Sequence, residues 1–215
     1  YHPTEYPFNE GRLVSNHGLN ISIDCFDDYF KELQVPYSNA LHCLLQGHTY
    51  LVGPLARLNI NYDHLPARIV DMLERIGLHF PSNNMVHSII ARAIEIYYCV
   101  LEAERILRSS IYPESSHPKI EPRMGIGYGC TEAPRGMLWH CFEIDAHGLV
   151  KSARIVPPTS QNQARIEEDL YISLQQFGLN KPDIELQAYS EMIIRNYDPC
   201  ISCSTHFLNM TVQRT

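Results

Sequence analysis

The sequence predicts an α+β fold in which long helices dominate and small antiparallel β-hairpins lie between them. Apolar residues recur every three to four positions between residues 81 and 108, which is the period of an amphipathic helix. Over 138–144, Leu138, His140, Phe142 and Ile144 alternate with Trp139, Cys141 and Glu143, which is typical of a half-buried strand. With 215 residues, the chain is long enough for one domain with a sizeable core.

The N-terminal part predicts a hairpin followed by a short helix. Residues 1–24 are mostly polar, but 12–15 and 19–23 suit two short strands around the turn Asn16-His17-Gly18. A capping residue, an acidic first turn and three large apolar residues predict a short helix from Asp24 to Leu33. This helix must end before Val35-Pro36.

The middle of the chain predicts a bend and then one long helix. The apolar segment Tyr50–Leu58 is interrupted by Gly53-Pro54, so we expect a bend over buried surface rather than a regular element. The long helix is expected from Pro81-Ser82 to about Arg108, with Ser82 as its cap. Its apolar stripe predicts core packing and no chemistry. The stripe comprises Met85, Ile89, Ala93, Ile96, Tyr97, Val100, Ala103 and Leu107.

The second half predicts a hairpin and two more helices. Three prolines and no periodicity between Ser109 and Pro122 predict a reversal of the chain. The strand Leu138–Ile144, the turn at 145–148 and the segment Leu149–Val156 that follows predict a β-hairpin. Helices are expected over Gln163–Phe177, closed by Gly178, and after Pro182-Asp183 to about Arg195.

Composition excludes several classes of function. A formal net charge of −7 without a basic cluster disfavours nucleic-acid binding, which needs positive charge against phosphates. Seven cysteines without a framework pattern favour a reducing compartment, so we expect a cytoplasmic protein. An uncharged apolar run of roughly 18 residues, enough to span a membrane, does not occur in the sequence. The chain begins with Tyr1 and shows no signal-peptide pattern, so we expect it to start within a longer protein.

The most informative motif lies near the end of the chain, where two cysteines and a histidine follow one another at a spacing of three. Asp198 and Pro199 are typical of a helix N-cap and first helical position. In such a helix Cys200, Cys203 and His206 would share one face. Its positive end favours the thiolate form that binds soft transition metals. The segment therefore predicts half of a metal site.

Two other interpretations of the cysteine pair are a redox pair and half of a structural zinc site. A zinc site needs a second pair of ligands, and none of the remaining cysteines lies within three residues of another cysteine. A thioredoxin-like redox pair would follow an early strand, whereas this pair lies at the end of the chain.

Two proline-flanked loops carry the other candidate residues. Glu132–Gly136 (EAPRG) places Arg135 in a stiff loop, where its planar and always charged guanidinium can be aimed. In isolation, such an arginine would more often be a surface residue paired with Glu132. Val156–Asn162 (VPPTSQN) predicts a second stiff loop, rich in hydroxyl and amide groups. We expect the two loops to face each other at one end of the hairpin.

Taken together and in this order, the motifs resemble the C-terminal half of the large, catalytic subunit of nickel–iron hydrogenases. The resemblance rests on EAPRG with His140, on VPPTSQN, and on Asp198–His206 (DPCISCSTH). Tyr6–Arg12 and Tyr50–Arg57 also look like that subunit, and most like its soluble, cytoplasmic NAD(P)-linked members. The similarity covers essentially the whole chain. It implies a hydrogenase large-subunit-like fold that is incomplete at the N-terminus.

The resemblance implies a nickel–iron cluster whose iron carries CO and CN ligands. Cys200 would be a terminal thiolate on nickel, and Cys203 would bridge nickel and iron, since soft sulfur donors suit a redox-active metal. His206 would bind a structural Mg²⁺ near the cluster. Iron–sulfur clusters would be present only in a partner subunit.

The resemblance also implies the residues around the metals. Arg135 would lie over the open coordination site and act with Asp198 in heterolytic cleavage of H₂. Pro134 and Thr159 would contact the diatomic ligands of the iron, Thr159 by donating a hydrogen bond to a cyanide. Ser160 is the alternative to Thr159 if the alignment of the loop shifts by one residue. Two further residues of interest are better explained by packing in the core, namely His140 and Cys130.

Two departures from the family pattern matter. The other two cysteines of the cluster belong to an N-terminal motif of which this sequence has no trace, so we expect the chain alone to be inactive. We assign residues 1–206 to the C-terminal portion of the large-subunit domain and 207–215 to a C-terminal extension. Many members lose such an extension to a maturation protease after nickel insertion.

The function that follows is reversible heterolytic cleavage of H₂, with electrons passed to NAD(P). The implied partners are an iron–sulfur small subunit, flavin- and NAD(P)-reducing subunits, a maturation protease and nickel-insertion factors. One alternative is a non-catalytic relative such as the quinone-site subunit of respiratory complex I, which lacks the metal cysteines. Another is a scaffold or interaction protein stabilised by zinc bound to Cys200, Cys203 and His206.

Overall fold

A computed structural model describes residues 1–109, 114–118 and 121–200 of the protein. Within these ranges the chain forms six α-helices and seven strands, and the strands pair in three small antiparallel sheets. This is the α+β architecture that the sequence predicts. Among the described residues, no helix combines the length and the apolar character needed to cross a membrane.

The N-terminal hairpin is confirmed, but the helix after it is shorter than predicted. The hairpin consists of β1 (Leu13–Val14) and β2 (Asn20–Ile21). A 3₁₀ turn then leads into α1 (Phe26–Tyr29), and β3 (Phe30–Leu33) pairs with β4 (His42–Leu45). The helix expected to reach Leu33 ends early because pairing with β4 satisfies the backbone of its second half.

The segment Tyr50–Leu58, expected to be a bend, contains a helix instead. This helix, α2 (Pro54–Asn61), begins at the Gly-Pro step. Pro54 presets a helical φ at the first position, and Gly53, at φ 118°, turns the chain into the helix. A 3₁₀ turn (Tyr62–His64) and α3 (Ala67–Arg75) follow. The sequence prediction missed α3.

The long helix is confirmed, but it begins later and buries a different face than predicted. It is α4 (His87–Ser109). The Ser82 hydroxyl accepts a hydrogen bond from the Asn84 backbone N–H (3.1 Å) and so stabilises a turn ahead of the helix. The buried residues of α4 are Ser88, Ala91, Ile94, Glu95 and Tyr98. Four residues of the predicted stripe are at least half exposed, namely Ile89, Ile96, Val100 and Leu107. Apolar residues lie on two faces of α4, and the period alone does not show which face the fold covers.

A three-stranded sheet dominates the second half of the chain. Its strands are β5 (Gly125–Ala133), β6 (Gly136–Ile144) and β7 (Val150–Val156), paired in that order. The predicted hairpin is confirmed as β6–β7. The sequence prediction missed β5, because alternate glycines at its start weaken the strand signal. The reversal predicted between Ser109 and Pro122 falls partly outside the described residues.

Two helices complete the described chain. α5 (Pro158–Phe177) begins at the second proline of VPPTSQN, earlier than the predicted start at Gln163. The second predicted loop is therefore the end of β7 and the first turn of α5. Pro158 occupies the first helical position, where its fixed φ and missing N–H carry no penalty. The bounds predicted for the last helix are confirmed by α6 (Asp183–Arg195).

The buried side chains form two clusters that meet near the start of α2. The first lies between α2, α3 and α4, and Leu51 packs against its edge. The second lies under the sheet, where Trp139 stacks on Phe26 with ring centroids 4.5 Å apart. Val52 packs against this second cluster. The segment leading into α2 therefore joins the two halves of the core.

Candidate active site

Arg135 lies in a two-residue turn between β5 and β6 that packs against the start of α2. The last pair of the ladder leaves only Pro134 and Arg135 in the turn. A Cβ atom at Gly136 would lie 2.5 Å from the Val52 side chain, and one at Gly53 would lie 2.8 Å from the Arg135 carbonyl oxygen. Contacts this short leave no room for a side chain at either glycine. The backbone of the turn and the backbone at the start of α2 are therefore in direct contact.

The Arg135 side chain reaches Asp198. Its Nε donates a hydrogen bond to the Asp198 carbonyl oxygen (2.5 Å) and lies 3.1 Å from the carboxylate Oδ2. The two side chains are 38% and 45% exposed, so the ion pair contributes at most about 1 kcal/mol to stability. The alternative pairing of Arg135 with Glu132 is wrong, because Arg57 holds the Glu132 carboxylate (2.5 Å).

The described part of the cysteine segment is not helical. Asp198 has φ 49°, a left-handed conformation that aspartate tolerates, and Asp198–Cys200 has no regular structure. The prediction of a helix capped by Asp198 is therefore wrong for these residues. An N-cap carbonyl accepts the first intrahelical hydrogen bond, whereas the Asp198 carbonyl accepts one from Arg135. The rest of the predicted helix, with Cys203 and His206, lies outside the described residues.

The first turn of α5 faces the cysteine segment. The buried Thr159 hydroxyl accepts a hydrogen bond from the Cys200 backbone N–H (3.3 Å). The Ser160 hydroxyl instead donates to the Pro157 carbonyl (2.9 Å). Of the two hydroxyl candidates, Thr159 is therefore the one beside Cys200. The positive N-terminal end of this 20-residue helix favours negative charge at the same place.

Two buried amides of the same helical turn bind the surrounding backbone. Asn162 accepts a hydrogen bond from the Val52 N–H (2.9 Å) and donates to the Val52 and Arg135 carbonyls (3.0 and 3.4 Å). Gln161 donates to the Met137 carbonyl (2.6 Å). The expectation that EAPRG and VPPTSQN face each other is thus confirmed, and the contact runs through these amides.

Behind the turn lies a buried network of charged groups. Arg57 donates two hydrogen bonds to the Glu95 carboxylate (2.7 and 2.6 Å), and the Tyr6 hydroxyl donates to the same carboxylate (2.6 Å). These two hydrogen bonds to Glu95 come from Nε and Nη2 of Arg57. Its Nη1 donates to the Glu132 carboxylate (2.5 Å) and to the Ala133 carbonyl (2.8 Å). Burial raises the pKa of Glu132. Burial and the neighbouring Glu95 charge raise the pKa of Tyr6, which keeps its hydroxyl protonated as a donor.

Sequence reasoning missed Arg57 and Glu95. Each is a charged residue within a largely apolar segment, and a buried charge needs a partner. That signal was present in the sequence, but it does not identify the partner. In the fold the two residues are only 4% and 6% exposed, and their side chains bind each other.

The chain reaches Cys200 along a path fixed by two contacts. The Arg92 guanidinium donates to the Asn196 carbonyl (3.3 Å). The Tyr197 hydroxyl donates to the Asp169 carboxylate on α5. Together they attach the segment after α6 to α4 and to α5, directly before Asp198.

Two residues that the sequence analysis assigned to packing have surroundings that suit packing. Burial raises the pKa of Cys130 to about 12, so its sulfur stays a neutral thiol rather than a metal-binding thiolate. His140 is half-buried in β6, and its ring lies 5.9 Å from the Phe142 ring.

Of the metal ligands that the sequence analysis expects, the described residues include Cys200. Cys200 is half-buried, and a metal would bind its sulfur as the thiolate. Within the described ranges, no three side chains of metal-ligand type cluster together. The groups around Cys200 nevertheless suit a thiolate-bound metal with anionic ligands, since a helix N-terminus, a hydroxyl and a guanidinium all favour negative charge.

Comparison with known proteins places the chain among hydrogenases. The family model described as nickel-dependent hydrogenase matches residues 24–206. The alpha subunit of sulfhydrogenase 1 from Pyrococcus furiosus is 32% identical over 200 residues, which are 92% of this chain and 46% of that subunit. The beta subunit of the NAD-reducing hydrogenase HoxS from Cupriavidus necator is 32% identical over 166 residues, which are 73% of this chain and 34% of that subunit.

A solved structure extends the similarity to the fold. It is an NAD⁺-reducing [NiFe]-hydrogenase in the H₂-reduced state, which matches with a TM-score of 0.79 and 26% identity over 94% of this chain and 48% of that chain. This chain therefore spans about half the length of the relatives it matches. Motifs, family match and fold agree, and the chain belongs to the nickel-dependent hydrogenase family, with the fold of part of its large subunit.

Proposed function

We propose that this chain is part of the catalytic subunit of a nickel–iron hydrogenase that cleaves H₂ reversibly into two protons and two electrons. The observation that carries the proposal is the contact of Arg135 with Asp198 beside the hydrogen bond between Thr159 and Cys200. These residues come from a hairpin turn, a helix start and the segment after the last described helix. They meet at the first cysteine of the C-x-x-C pair.

Cys200 and Cys203 are the proposed thiolate ligands, Cys200 as a terminal ligand of nickel and Cys203 as the bridge between nickel and iron. His206 is the proposed ligand of a structural Mg²⁺. When bound, the nickel–iron cluster, with CO and CN on its iron, supplies a Lewis-acidic and redox-active centre that polarises H₂. The second cysteine pair of the cluster is expected outside this sequence, so the chain alone is expected to be inactive.

Arg135 and Asp198 are the proposed catalytic residues. Heterolytic cleavage of H₂ needs a base, and the partly exposed Asp198 carboxylate can accept the proton. The Arg135 guanidinium stays protonated, so its remaining N–H groups can stabilise negative charge that develops at the substrate. The packed turn keeps the guanidinium from moving away while this happens.

Pro134 and Thr159 are the proposed neighbours of the diatomic ligands on iron. The Thr159 hydroxyl oxygen accepts from the Cys200 N–H, which leaves its hydrogen available for donation to a cyanide nitrogen. Pro134 is exposed at the turn, and because it has no N–H it offers an apolar surface there.

The electron route and the location are further parts of the proposal. Electrons would leave through iron–sulfur clusters of a small subunit and reach NAD(P) through flavin-containing subunits, in the cytoplasm. The similarity to an NAD-reducing hydrogenase subunit and to a solved NAD⁺-reducing hydrogenase supports this choice of acceptor. Nickel-insertion factors, and a maturation protease that removes 207–215, complete the proposed partners.

The test uses the intact catalytic subunit that carries this chain, produced with its partner subunits. We expect stoichiometric nickel, infrared bands of metal-bound CO and CN, and H₂-dependent reduction of NAD(P). Cys200→Ser and Cys203→Ser should each abolish the bands and the turnover. Cys141→Ser, at a half-buried cysteine of β6, is the control that should keep both. Stoichiometric zinc without nickel or infrared bands would refute the proposal and support the zinc-stabilised scaffold.

A further inference from the structure

Arg57 binds the two residues that come directly before the Arg135 turn. Its guanidinium connects α2, on which it lies, with Glu95 on α4 and with Glu132 and Ala133 at the end of β5. The hydrogen bonds are 2.5–2.8 Å long, and Arg57 is almost fully buried. Charge-assisted hydrogen bonds in such surroundings are strong and directional. The guanidinium therefore acts as a rigid connector rather than as a surface ion pair.

The residues that Arg57 holds come directly before the catalytic turn. Glu132 and Ala133 end β5, and Pro134 and Arg135 follow. Because the ring of Pro134 fixes φ, the position of the Ala133 carbonyl largely sets the direction in which the turn leaves the strand. On its other side, the turn touches Gly53, whose carbonyl accepts the first hydrogen bond of α2. One short helix thus supports the turn on two sides.

The geometry requires an arginine at this position. A guanidinium presents five N–H donors in one plane, so it can bind a carboxylate with two parallel hydrogen bonds and still reach a second set of acceptors. A lysine ammonium carries the same charge at a single point and cannot span Glu95, Glu132 and Ala133 together. Replacing Arg57 by lysine therefore keeps the charge but releases at least one tether.

We propose that Arg57 is a positioning residue for Arg135: by fixing the end of β5, it sets the distance between the Arg135 guanidinium and Asp198. The inference rests on the proposed function, because it takes Arg135 as a catalytic residue. A displacement of a reacting group by about 1 Å can cost on the order of a hundredfold in rate. We accordingly expect Arg57→Lys to lower H₂ turnover roughly tenfold to a hundredfold.

The test is a double-mutant cycle in the intact subunit with its partners. It compares the wild type, Arg57→Lys, Arg135→Lys and the double variant by H₂ turnover, with nickel content and the CO and CN infrared bands as measures of an assembled cluster. If Arg57 acts through Arg135, Arg57→Lys costs less than about twofold in the Arg135→Lys background. The matched control is Arg68→Lys, at an arginine whose guanidinium lies over the Tyr97 ring, away from this network. It should leave turnover unchanged.

Independent losses that multiply in the double variant would overturn the inference, because they would indicate that Arg57 acts without Arg135. Unchanged turnover in Arg57→Lys would also overturn it, while leaving the proposed function intact. If instead Arg135→Lys leaves turnover unchanged, the proposed role of Arg135 fails and the inference fails with it.

Glu132→Ala gives a second variant that does not depend on the stability of Arg57→Lys. It leaves the buried pair of Arg57 and Glu95 in place and removes one tether to the end of β5. If Arg57→Lys does not yield a subunit with nickel, Glu132→Ala is placed in the same cycle. We expect a loss of turnover in the wild-type background that disappears in the Arg135→Lys background. No loss in the wild-type background, or an equal loss in both backgrounds, would overturn the inference.

Discussion

The contact between the Arg135 turn and the start of α2 predicts that Gly53→Ala impairs both stability and turnover. The new Cβ would lie 2.8 Å from the Arg135 carbonyl oxygen. The oxygen must retreat by about 0.6 Å to reach an ordinary contact distance of 3.4 Å. The Arg135 backbone moves with it, which disturbs the hydrogen bond from its Nε to the Asp198 carbonyl.

The loss of stability expected for Gly53→Ala has two parts. Gly53 has φ 118°, and a non-glycine residue held in such a conformation costs about 1–3 kcal/mol. The forced displacement of packed backbone adds about 1–3 kcal/mol. Gly18→Ala is the matched control, because Gly18 also has a positive φ (90°) but no atom within 4 Å of the new Cβ. It should carry only a backbone cost.

The assays are urea unfolding of the chain and H₂ turnover of the intact subunit with its partners. We expect Gly53→Ala to lower the free energy of unfolding by about 2–6 kcal/mol and to reduce turnover, whereas Gly18→Ala lowers stability by less and leaves turnover unchanged. Equal loss of stability in the two variants, together with full turnover of Gly53→Ala, would refute the argument that the turn and α2 are in direct backbone contact.

Three further predictions follow from the same contacts. Asn162→Leu removes the hydrogen bonds to the Val52 N–H and carbonyl and to the Arg135 carbonyl and should lower the free energy of unfolding by about 2–4 kcal/mol, measured by urea unfolding, because these backbone groups lose their partner. Tyr197→Phe removes the hydroxyl that binds Asp169; it should cost about 1 kcal/mol of stability and increase hydrogen exchange at the Asp198 amide. Since burial raises the pKa of Glu132 above its ordinary value of 4.5, the protonated form stabilises the fold. This contribution is complete below that value and is lost as the pH rises through the raised pKa, so Glu132→Gln should flatten the decline of unfolding free energy with pH above 4.5.

Local signals in the sequence predict the elements whose stability is decided locally. The hairpin β6–β7 follows from a two-residue pattern and a turn, and the bounds of α6 follow from a proline-aspartate start. The helix expected over Asp24–Leu33 fails because half of it pairs with β4, a partner that lies further along the chain. On α4, the period correctly indicates a helix, but residues such as Ile96 and Val100 are exposed while Glu95 is buried.

In the candidate site too, some features follow from local sequence and others depend on contacts between distant parts of the chain. The order of EAPRG, VPPTSQN and the cysteine motif identifies the parts that meet, and the structure brings Arg135, Asp198, Thr159 and Cys200 together. The roles assigned to these residues, and those of Pro134, Cys203 and His206, stay predictions. The support behind the turn was beyond sequence reasoning, because Arg57 and Glu95 are separated by 38 positions along the chain and only the packing of α2 on α4 joins them.

The first turn of α5 constrains how this site can change over generations. The Thr159 hydroxyl and the Gln161 and Asn162 amides project from the first turn of one helix, and each already has a fixed partner. Inserting or deleting a single residue ahead of them would rotate all three by about 100° and break every one of these contacts at once. We therefore expect no insertions or deletions in this stretch of the chain. Relatives should differ here by substitutions alone.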